Sequence, residues 1–334
     1  SRQGAVFSKD RDISAVDQYS EGALTGNAAD LFKPRRPYFS GYAPQGYFYH
    51  DTGSYTYDAA GNPIPVSTNG SATQAPTGYN RSEFRTIAVP TERYNFATSG
   101  NLALSENHSA FFEGNYASTS VTTKLEPFAL GSDNIYANGQ VPAETFVGGV
   151  AVRNPLVPQY LYDRISDTDG DGLRDYFFTR RMAEVGNRGS TAERDTFRLA
   201  TGLKGTVKDW NYEVYGVYGS TKEAQNSGGQ VNVLNFRNAL EAIPGADGTA
   251  VCRDANARLQ GCVPISVFGF NTISPAALKY VNAPGSLETS TTQKLLGGSV
   301  SGEPFQLPAG PLGIAAGYEW RKEFSSSVPD ALTQ

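Results

Sequence analysis

The feature that most limits the fold of this chain is a set of three paired runs in which apolar and polar residues alternate. In the first pair, 94–104 and 110–116 carry their large apolar residues at every second position, and Ser105 to His108 form the turn between them. A period of two on both sides of a short turn predicts a β-hairpin. The other pairs are 197–207 with 210–218, around Lys208 and Asp209, and 296–300 with 312–320, around a turn near 306–310.

Long stretches without regular alternation separate the pairs. Loops of this length are uncommon in compact domains, whereas transmembrane β-barrels combine short periplasmic turns with long extracellular loops. We therefore expect an all-β fold, an antiparallel transmembrane β-barrel portion whose long extracellular loops carry short helices. A soluble β-sandwich shows the same alternation with its apolar face turned inward, so that alternative stays open at this point.

The expected organisation is a single β-barrel domain to which all of 1–334 belongs, without a plug domain. Its parts are the first strands and a loop (1–84), a hairpin (85–121), a long extracellular loop (122–193), a second hairpin (194–220), a second long extracellular loop (221–292) and a third hairpin (293–327). In the second loop, helical spacing over 231–243 and the pair Ser274-Pro275, an N-cap and a first helical residue, predict two short helices.

The composition excludes several classes of function. Charged residues make up 18% of the chain, below the roughly 25% of soluble domains, and the net charge of −5 leaves no basic surplus for nucleic acid. Nucleotide-binding, zinc-hydrolase and serine-hydrolase motifs were not found, and the only histidines, His50 and His108, have no Ser or Cys arranged as a nucleophile. We therefore expect no enzymatic activity.

The sequence contains neither a transmembrane helix nor a recognisable N-terminal leader. No stretch approaches the roughly 18 consecutive apolar residues of a transmembrane helix. The sequence starts at Ser1 without a leader, so we expect a processed chain or a fragment.

The sharpest local motif is an acidic loop that begins at Asp167. Carboxylates at Asp167, Asp169, Asp171 and Asp175, with Gly172 at the sixth position, match much of a calcium-binding loop, and the carbonyl of Leu173 would supply a further oxygen. The twelfth position is a Phe, so the usual bidentate Glu is missing. The spacing predicts a structural Ca²⁺ site, and the alternative is an acidic, solvated loop tip.

Cys252 and Cys262 are the only cysteines, and they lie in a polar loop. In an oxidising compartment they should form a disulfide. The alternative is a pair of free thiols in a cytosolic protein. A redox or zinc site is disfavoured because the cysteines form no CxxC motif.

Two further groups of loop residues have open roles. The basic pairs Arg35-Arg36 and Arg180-Arg181 are interpreted as solvated loop charge rather than as lipopolysaccharide contacts. Aromatic residues of the first loop would suit stacking on a sugar ring or a catecholate, but packing within the loop or at the lipid interface is favoured; they are Tyr42, Tyr47, Phe48, Tyr49, Tyr55 and Tyr57.

Several segments together resemble one protein family. Pro90 to Phe96 with the hairpin that follows, and Arg194 to Arg198 running to the turn at Lys208, are similar to early barrel hairpins of the TonB-dependent receptors. Cys262 to Gly269 resembles half of a cysteine-bearing loop of that family, and Leu307 to Glu323 resembles a turn and strand of its large proteobacterial members. The order and spacing of these segments carry the resemblance, which covers most of 84–330.

The resemblance implies an outer-membrane transporter of a Gram-negative bacterium, with a barrel of about 22 strands around an N-terminal plug. Such a receptor takes up a scarce ligand such as a siderophore complex, cobalamin or an oligosaccharide, driven by the energy-coupling protein TonB. This chain then corresponds to an internal barrel portion in contact with outer-membrane lipid, and TonB would act through the missing plug region. The alternatives are a surface β-rich binding module or adhesin with a calcium-stabilised loop, and a non-gated porin.

Overall fold

The computed structural model describes residues 1–16, 18–20, 34–71 and 73–330. Of the described residues, 54% lie in strands and 12% in helices, and the sheets are antiparallel, which confirms the β-rich, antiparallel part of the prediction. The side chains of Arg35 and Arg36 lie outside the described part of the chain. Within the described residues, no helix has both the length and the apolar character needed to cross a membrane.

Twenty-one strands and four α-helices follow one another along the described chain. The strands are β1 (Arg2–Gln3), β2 (Val6–Phe7), β3 (Gln18–Ser20), β4 (Pro34–Pro37), β5 (Tyr47–His50), β6 (Gly53–Tyr57), β7 (Pro63–Pro65), β8 (Thr86–Ala88), β9 (Thr91–Ser105), β10 (His108–Pro127), β11 (Ala129–Gly131), β12 (Val141–Pro142), β13 (Glu144–Val147), β14 (Val150–Arg153), β15 (Asp175–Arg181), β16 (Asn187–Val207), β17 (Trp210–Gly228), β18 (Ala242–Pro244), β19 (Ala250–Cys252), β20 (Gly285–Leu307) and β21 (Gly310–Pro329). The helices are α1 (Gln159–Tyr162), α2 (Val233–Leu240), α3 (Ala255–Leu259) and α4 (Pro275–Val281).

The six longest strands and the short β1 form an open sheet with the order β1-β9-β10-β16-β17-β20-β21. The predicted hairpins are confirmed, each with a two-residue turn, at 106–107, 208–209 and 308–309. Lys208 adopts a positive φ of 56° in the middle turn. We refer to this sheet as the wall.

The wall strands run farther than the sequence indicated. β10 continues to Pro127, β16 begins at Asn187, β17 reaches Gly228 and β20 starts at Gly285, so the two long loops cover 128–186 and 229–284. In these extensions polar residues occupy both faces, as in Thr122, Thr123 and Lys124. The apolar alternation therefore ends although the backbone ladder between the strands goes on.

The two faces of the wall differ in character. One face, the apolar face, exposes large apolar side chains on all six long strands, and the register places them opposite one another. They include Phe96, Leu102, Phe112, Tyr116, Phe197, Leu199, Leu203, Val214, Tyr218, Leu296, Val300, Ile314, Tyr318 and Trp320.

The opposite face is mostly polar, and aromatic rings on it lie across glycines of the neighbouring strand. A Cβ on Gly202 would come within 2.6 Å of the Phe111 ring, and a Cβ on Gly297 within 2.5 Å of the Tyr215 ring. Any larger residue at these glycines would displace the ring that covers them. The polar face is therefore fixed by close contacts between neighbouring strands as well as by the backbone ladder.

The predicted loops do not stay separate. Parts of 38–66, 128–186 and 229–284 pack into one body, which we call the cap, around a second sheet with the order β11-β15-β5-β6-β7. Its core contains fully buried Phe48, Leu130, Phe178 and Phe236. The main hydrophobic core of the molecule thus lies in the cap, beyond the end of the wall at which β9 begins and β10 ends.

The short helices of the second loop are confirmed. α2 begins after Asn232, whose side chain accepts a hydrogen bond from the Asn235 amide at 2.9 Å. α4 begins at Pro275 after the N-cap Ser274, which accepts a hydrogen bond from the Ala277 amide at 3.2 Å. Both helices place apolar residues in the core of the cap.

The interpretation of Arg180 and Arg181 as solvated charge is wrong. Both side chains are buried, and Arg180 pairs with Glu184 at 2.6 Å and donates to the Gly269 carbonyl at 2.9 Å. Arg181 donates to the carbonyls of Pro127 and Tyr42 and to the Ser40 hydroxyl, and its guanidinium lies 4.7 Å from the Tyr79 ring centre. Arg180 therefore joins two segments of the cap, and Arg181 joins β15 to the end of the wall strand β10 and to the first loop.

Candidate metal-binding loop

The acidic motif forms an exposed loop between α1 and β15. Its backbone turns through Gly170 and Gly172, which have φ angles of +81° and +87° that favour glycine. The carboxylate of Asp167 accepts hydrogen bonds from the Gly170 amide at 2.7 Å and the Gly172 amide at 2.9 Å. These amides stabilise the ionised carboxylate and lower the pKa of Asp167.

Three of the five predicted ligand residues come together. Carboxylate oxygens of Asp167, Asp169 and Asp175 lie within 4.8 Å of one another, a spacing at which one hard cation contacts all three. Asp171 is not in this group, and its carboxylate accepts a hydrogen bond from the Leu173 amide at 2.8 Å. Asp167 and Asp169 also accept amide hydrogen bonds within the turn, so Asp171 differs from them in lying outside the gathered group.

Asp175 is the buried member of the group. Its side chain is 4% exposed and accepts hydrogen bonds from the amide and the hydroxyl of Thr168, at 2.8 and 2.5 Å. Burial raises the pKa of Asp175, and the charges of Asp169 and Asp167 raise it further. A cation between the three carboxylates would remove this repulsion.

The end of the loop departs from the helix-loop-helix arrangement of the calcium motif. Asp175 is the first residue of β15, and Phe178, in the place of the usual Glu, is fully buried in the core of the cap. The strand points this position away from the loop. A bound ion would therefore need water or another segment to complete its oxygen shell.

Another segment does reach the loop. The side-chain amide of Asn138 donates to the Asp169 carboxylate at 2.6 Å, and its oxygen accepts from the Gln140 amide at 3.1 Å. Asn138, Asp169 and Asp175 line a cleft of about 500 Å³ together with Arg237 and Arg253 of the second loop. Sequence reasoning missed these residues because nothing in the spacing links 136–142 to 167–175 or to 237–253.

The side of the cleft opposite the acidic loop is built around Glu241. This carboxylate pairs with Arg237 at 3.2 Å and with Arg253, and it accepts a hydrogen bond of 3.0 Å from the hydroxyl of Tyr136. Burial raises the pKa of Tyr136, so its phenol stays protonated and donates. The Arg237 guanidinium also lies 4.9 Å from the Tyr136 ring centre. The cleft thus has an acidic side, the loop, and a side that carries two arginines.

The two cysteines lie beside this cleft. The sulfurs of Cys252 and Cys262 are 2.08 Å apart, at disulfide-bond distance, and the loop between them contains α3. Arg258 donates to the Cys252 carbonyl at 2.6 Å. Arg253 follows Cys252 directly, so the cross-link fixes the segment that presents this arginine to the cleft.

The aromatic residues of the first loop are used mostly for packing. Tyr47, Phe48, Tyr55 and Tyr57 are buried, and the rings of Phe48 and Tyr55 have centres 5.5 Å apart. Tyr49 is the more exposed one, at 39%, and contacts Phe177. The buried rings cannot stack on a ligand in this conformation.

The two histidines are not part of the acidic loop. His50 ends β5 in the cap, and His108 begins β10, where its Nδ1 is 3.0 Å from the Tyr212 hydroxyl. Within the described chain, neither histidine forms a hydrogen bond with a serine or a cysteine; His50 is paired with Thr52 and His108 with Tyr212. The absence of enzymatic activity stays a prediction.

Comparisons of the chain with protein-family models, with curated proteins and with solved structures found no match.

Proposed function

We propose that this chain is part of an outer-membrane β-barrel receptor of the TonB-dependent type, which takes up a scarce small ligand through an opening bordered by the cap. The observation that carries the proposal is the exposed apolar face of the wall. Phe96 is 65% exposed, Leu203 46% and Tyr318 75%. Contiguous apolar patches on soluble proteins rarely exceed a few hundred Å², and this face spans six long strands.

The length of the apolar face suits a bilayer. On β16 it runs from Phe197 to Val207, which corresponds to the roughly 9–11 residues that a tilted strand needs to cross the hydrocarbon core. The strands themselves are 15 to 23 residues long. Their remaining parts would project beyond the lipid toward the cap.

The edge of the apolar face on the cap side runs obliquely across the strands. Phe197 is the last large apolar residue of β16 before Asp195, and its partner on β17 is Ser220. Tyr218, the corresponding residue of β17, therefore lies one side-chain row farther from the cap. Tyr218 in turn is opposite Lys294, so Leu296 on β20 lies another row farther. Barrel strands tilt by about 35–45°, and a flat membrane surface would cross tilted strands along such an oblique line.

The opposite face and the cap favour a receptor over a simple structural barrel. The polar face would line a lumen, and the cap gathers three segments at one end of the strands with the cleft between two of them. The sequence resemblance adds the receptor type and the ligand classes, which are siderophore complexes, cobalamin and oligosaccharides. The transport itself would need the complete receptor and its energy-coupling partner.

The membrane part of the proposal is tested by refolding the urea-unfolded protein with and without lipid vesicles, followed by flotation in a density gradient. We expect the protein to float with the vesicles and to aggregate without lipid or detergent. A monodisperse, folded protein in buffer that stays at the bottom of the gradient would instead favour the surface binding module.

The ligand part needs a separate experiment. In cells that carry the complete receptor, removal of the cap segment 229–284 should abolish uptake of the ligand while a barrel still reaches the outer membrane. Steady passage of small solutes through the intact receptor without an energy-coupling partner would favour the porin alternative.

A further inference from the structure

Two lysines on the apolar face lie directly opposite each other. Lys294 of β20 and Lys322 of β21 are register partners, and both are exposed. Directly opposed side chains have Cβ atoms about 4.5–5.5 Å apart, and like charges at this distance repel. On β20, Lys294 is in the first row beyond the oblique edge, next to Leu296 on the cap side. On β21, Lys322 lies between the exposed rings of Trp320 and Phe324.

No acidic residue stands next to this pair on the same face in the described part of the chain. The neighbours of Lys294 along and across the strands are Tyr218, Ser220, Thr292, Leu296, Trp320 and Phe324, none of them acidic. Neither lysine has an ion pair with a described residue. Glu319 and Glu323 belong to the opposite face because they alternate with Trp320 and Lys322 along β21.

A third lysine of the apolar face, Lys222, differs from this pair in having an acidic partner. It also lies on the apolar face beyond the edge, but its register partner on β16 is Asp195. An acidic residue thus stands beside that lysine, whereas the pair at Lys294 has none. The uncompensated charge is local to β20 and β21.

We propose that Lys294 and Lys322 together bind the phosphate of an anionic lipid headgroup in the cap-side leaflet. This inference rests on the proposed membrane location. There the edge of the apolar face marks the boundary between acyl chains and headgroups, and lysines at this level attract anionic lipid. One phosphate between the two ammonium groups would remove their repulsion, and Trp320 would contact the acyl chain of the same lipid.

The two tryptophans of the chain make this testable. Trp320 lies two residues from Lys322, and Trp210 lies at the opposite end of the apolar face, at the start of β17. A Trp210→Phe variant keeps only Trp320, whose fluorescence reports on lipid beside the lysines. A Trp320→Phe variant keeps only Trp210, which reports on lipid at the other end of the apolar face. Quenching by brominated phosphatidylglycerol or brominated phosphatidylcholine, each diluted in unlabelled phosphatidylcholine vesicles, gives the lipid preference at each position.

We expect Trp320 to prefer phosphatidylglycerol by about tenfold, since each lysine near the surface adds attraction, and Trp210 to show little preference. Lys294→Gln with Lys322→Gln should abolish the preference at Trp320, and Lys204→Gln, on the polar face, should leave it unchanged. Added inorganic phosphate should not compete, because the acyl chain contributes to binding.

Three results would overturn the proposal in different ways. Equal quenching by the two lipids at Trp320, or a preference that survives the double substitution, in protein that floats with the vesicles, refutes the phosphate site alone. A protein that fails to enter vesicles of either composition refutes the membrane location and this site with it. Competition by free phosphate would assign the lysines to a soluble anion and contradict a lipid site.

Discussion

Arg181, in the cap strand β15, donates a hydrogen bond of 2.9 Å to the carbonyl of Pro127, the last residue of the wall strand β10. The neighbouring carboxylate of Glu126 is 4.0 Å from the same guanidinium, 3.2 Å from Arg85 and 3.6 Å from Arg188. These contacts connect the segment before β9, the ends of β10 and β16, and the cap. One buried carboxylate and three arginines therefore hold the cap in place on the wall.

Replacing Arg181 by Met should loosen this joint. The change removes hydrogen bonds to three partners and leaves Glu126 buried with less compensation, and loss of one partner of a buried pair costs about 3 kcal/mol or more. Urea unfolding measures the loss of stability, and the rate of protease cleavage within the cap measures how far the joint has loosened. Arg164→Met, an exposed cap arginine, is the control, and equal stability of the two variants would show that the joint is unimportant.

Calcium should bind weakly to the acidic loop. With three gathered carboxylates and no twelfth-position Glu, we expect a Kd at the weak end of the range, about 10⁻⁴–10⁻³ M. Because Asp169 belongs to the gathered group and Asp171 lies outside it, Asp169→Asn should reduce the calorimetric heat more than Asp171→Asn. Identical heats of calcium titration for the metal-stripped wild type and for the variant that combines Asp169→Asn with Asp171→Asn would establish the loop as a solvated acidic tip.

Without calcium, the stability of the cap should depend on pH through Asp175. Its pKa is raised in the folded protein, so its contribution favours folding below the unfolded pKa of about 3.9 and is lost as pH rises through the folded pKa. With a chelator present, the denaturant midpoint of unfolding should therefore decrease as pH rises from the unfolded pKa of Asp175 through its folded pKa. Asp175→Asn should make this decrease smaller. The pKa of Asp167 is lowered in the folded protein, so its contribution to stability is present above its unfolded pKa and is lost as pH falls through its folded pKa. A profile unchanged by Asp175→Asn would contradict this assignment.

Leu203→Arg should hinder insertion of the wall into a bilayer. Leu203 lies within the apolar face, and a charged residue on the lipid side costs about 2–4 kcal/mol near the midplane. Lys204→Leu, on the adjacent polar face, is the matched control and should matter less. Equal folding yields of the two variants in vesicles would argue against lipid contact at this face.

The cysteine pair should be fully oxidised in the native protein. Alkylation without reductant, followed by mass spectrometry, should leave Cys252 and Cys262 unmodified. Changing both to Ser should destabilise the cap by about 3 kcal/mol in the chain-entropy model. Complete labelling of both thiols in protein isolated from cells would contradict the expected oxidising compartment.

The hairpins were predictable because their information is local. The two-residue turn at Lys208 and the N-cap at Ser274 depend on side chains a few residues apart, and the alternation around the turn is visible in any short window. The candidate loop was found for the same reason, since Asp167, Asp169 and Asp175 are close in sequence.

The cap was not predictable because its strands are short and pair over long distances. β5 has four residues and pairs with β15, and such short runs do not establish a period. Arg180 and Arg181 resemble surface charge in sequence, and only the carbonyls of Gly269, Pro127 and Tyr42, contributed by other segments, make their burial possible. Asp171 lies outside the three gathered carboxylates, and its carboxylate accepts a hydrogen bond from the amide of Leu173, two residues away.

The pairing inside the cap also sets the order in which the molecule can form. The Thr179 hydroxyl donates to the Gly41 carbonyl, 138 residues earlier, at 2.9 Å, and the cap core is completed by Ala277 and Val281 of α4. Contacts of such large sequence separation form slowly because a long loop must close first, whereas the hairpins of the wall close over two residues. The hairpins should therefore form early, and the cap should assemble last, only after the chain through α4 is in place. A chain interrupted before α4 would retain its first two hairpins and leave the apolar core of the cap open to aggregation.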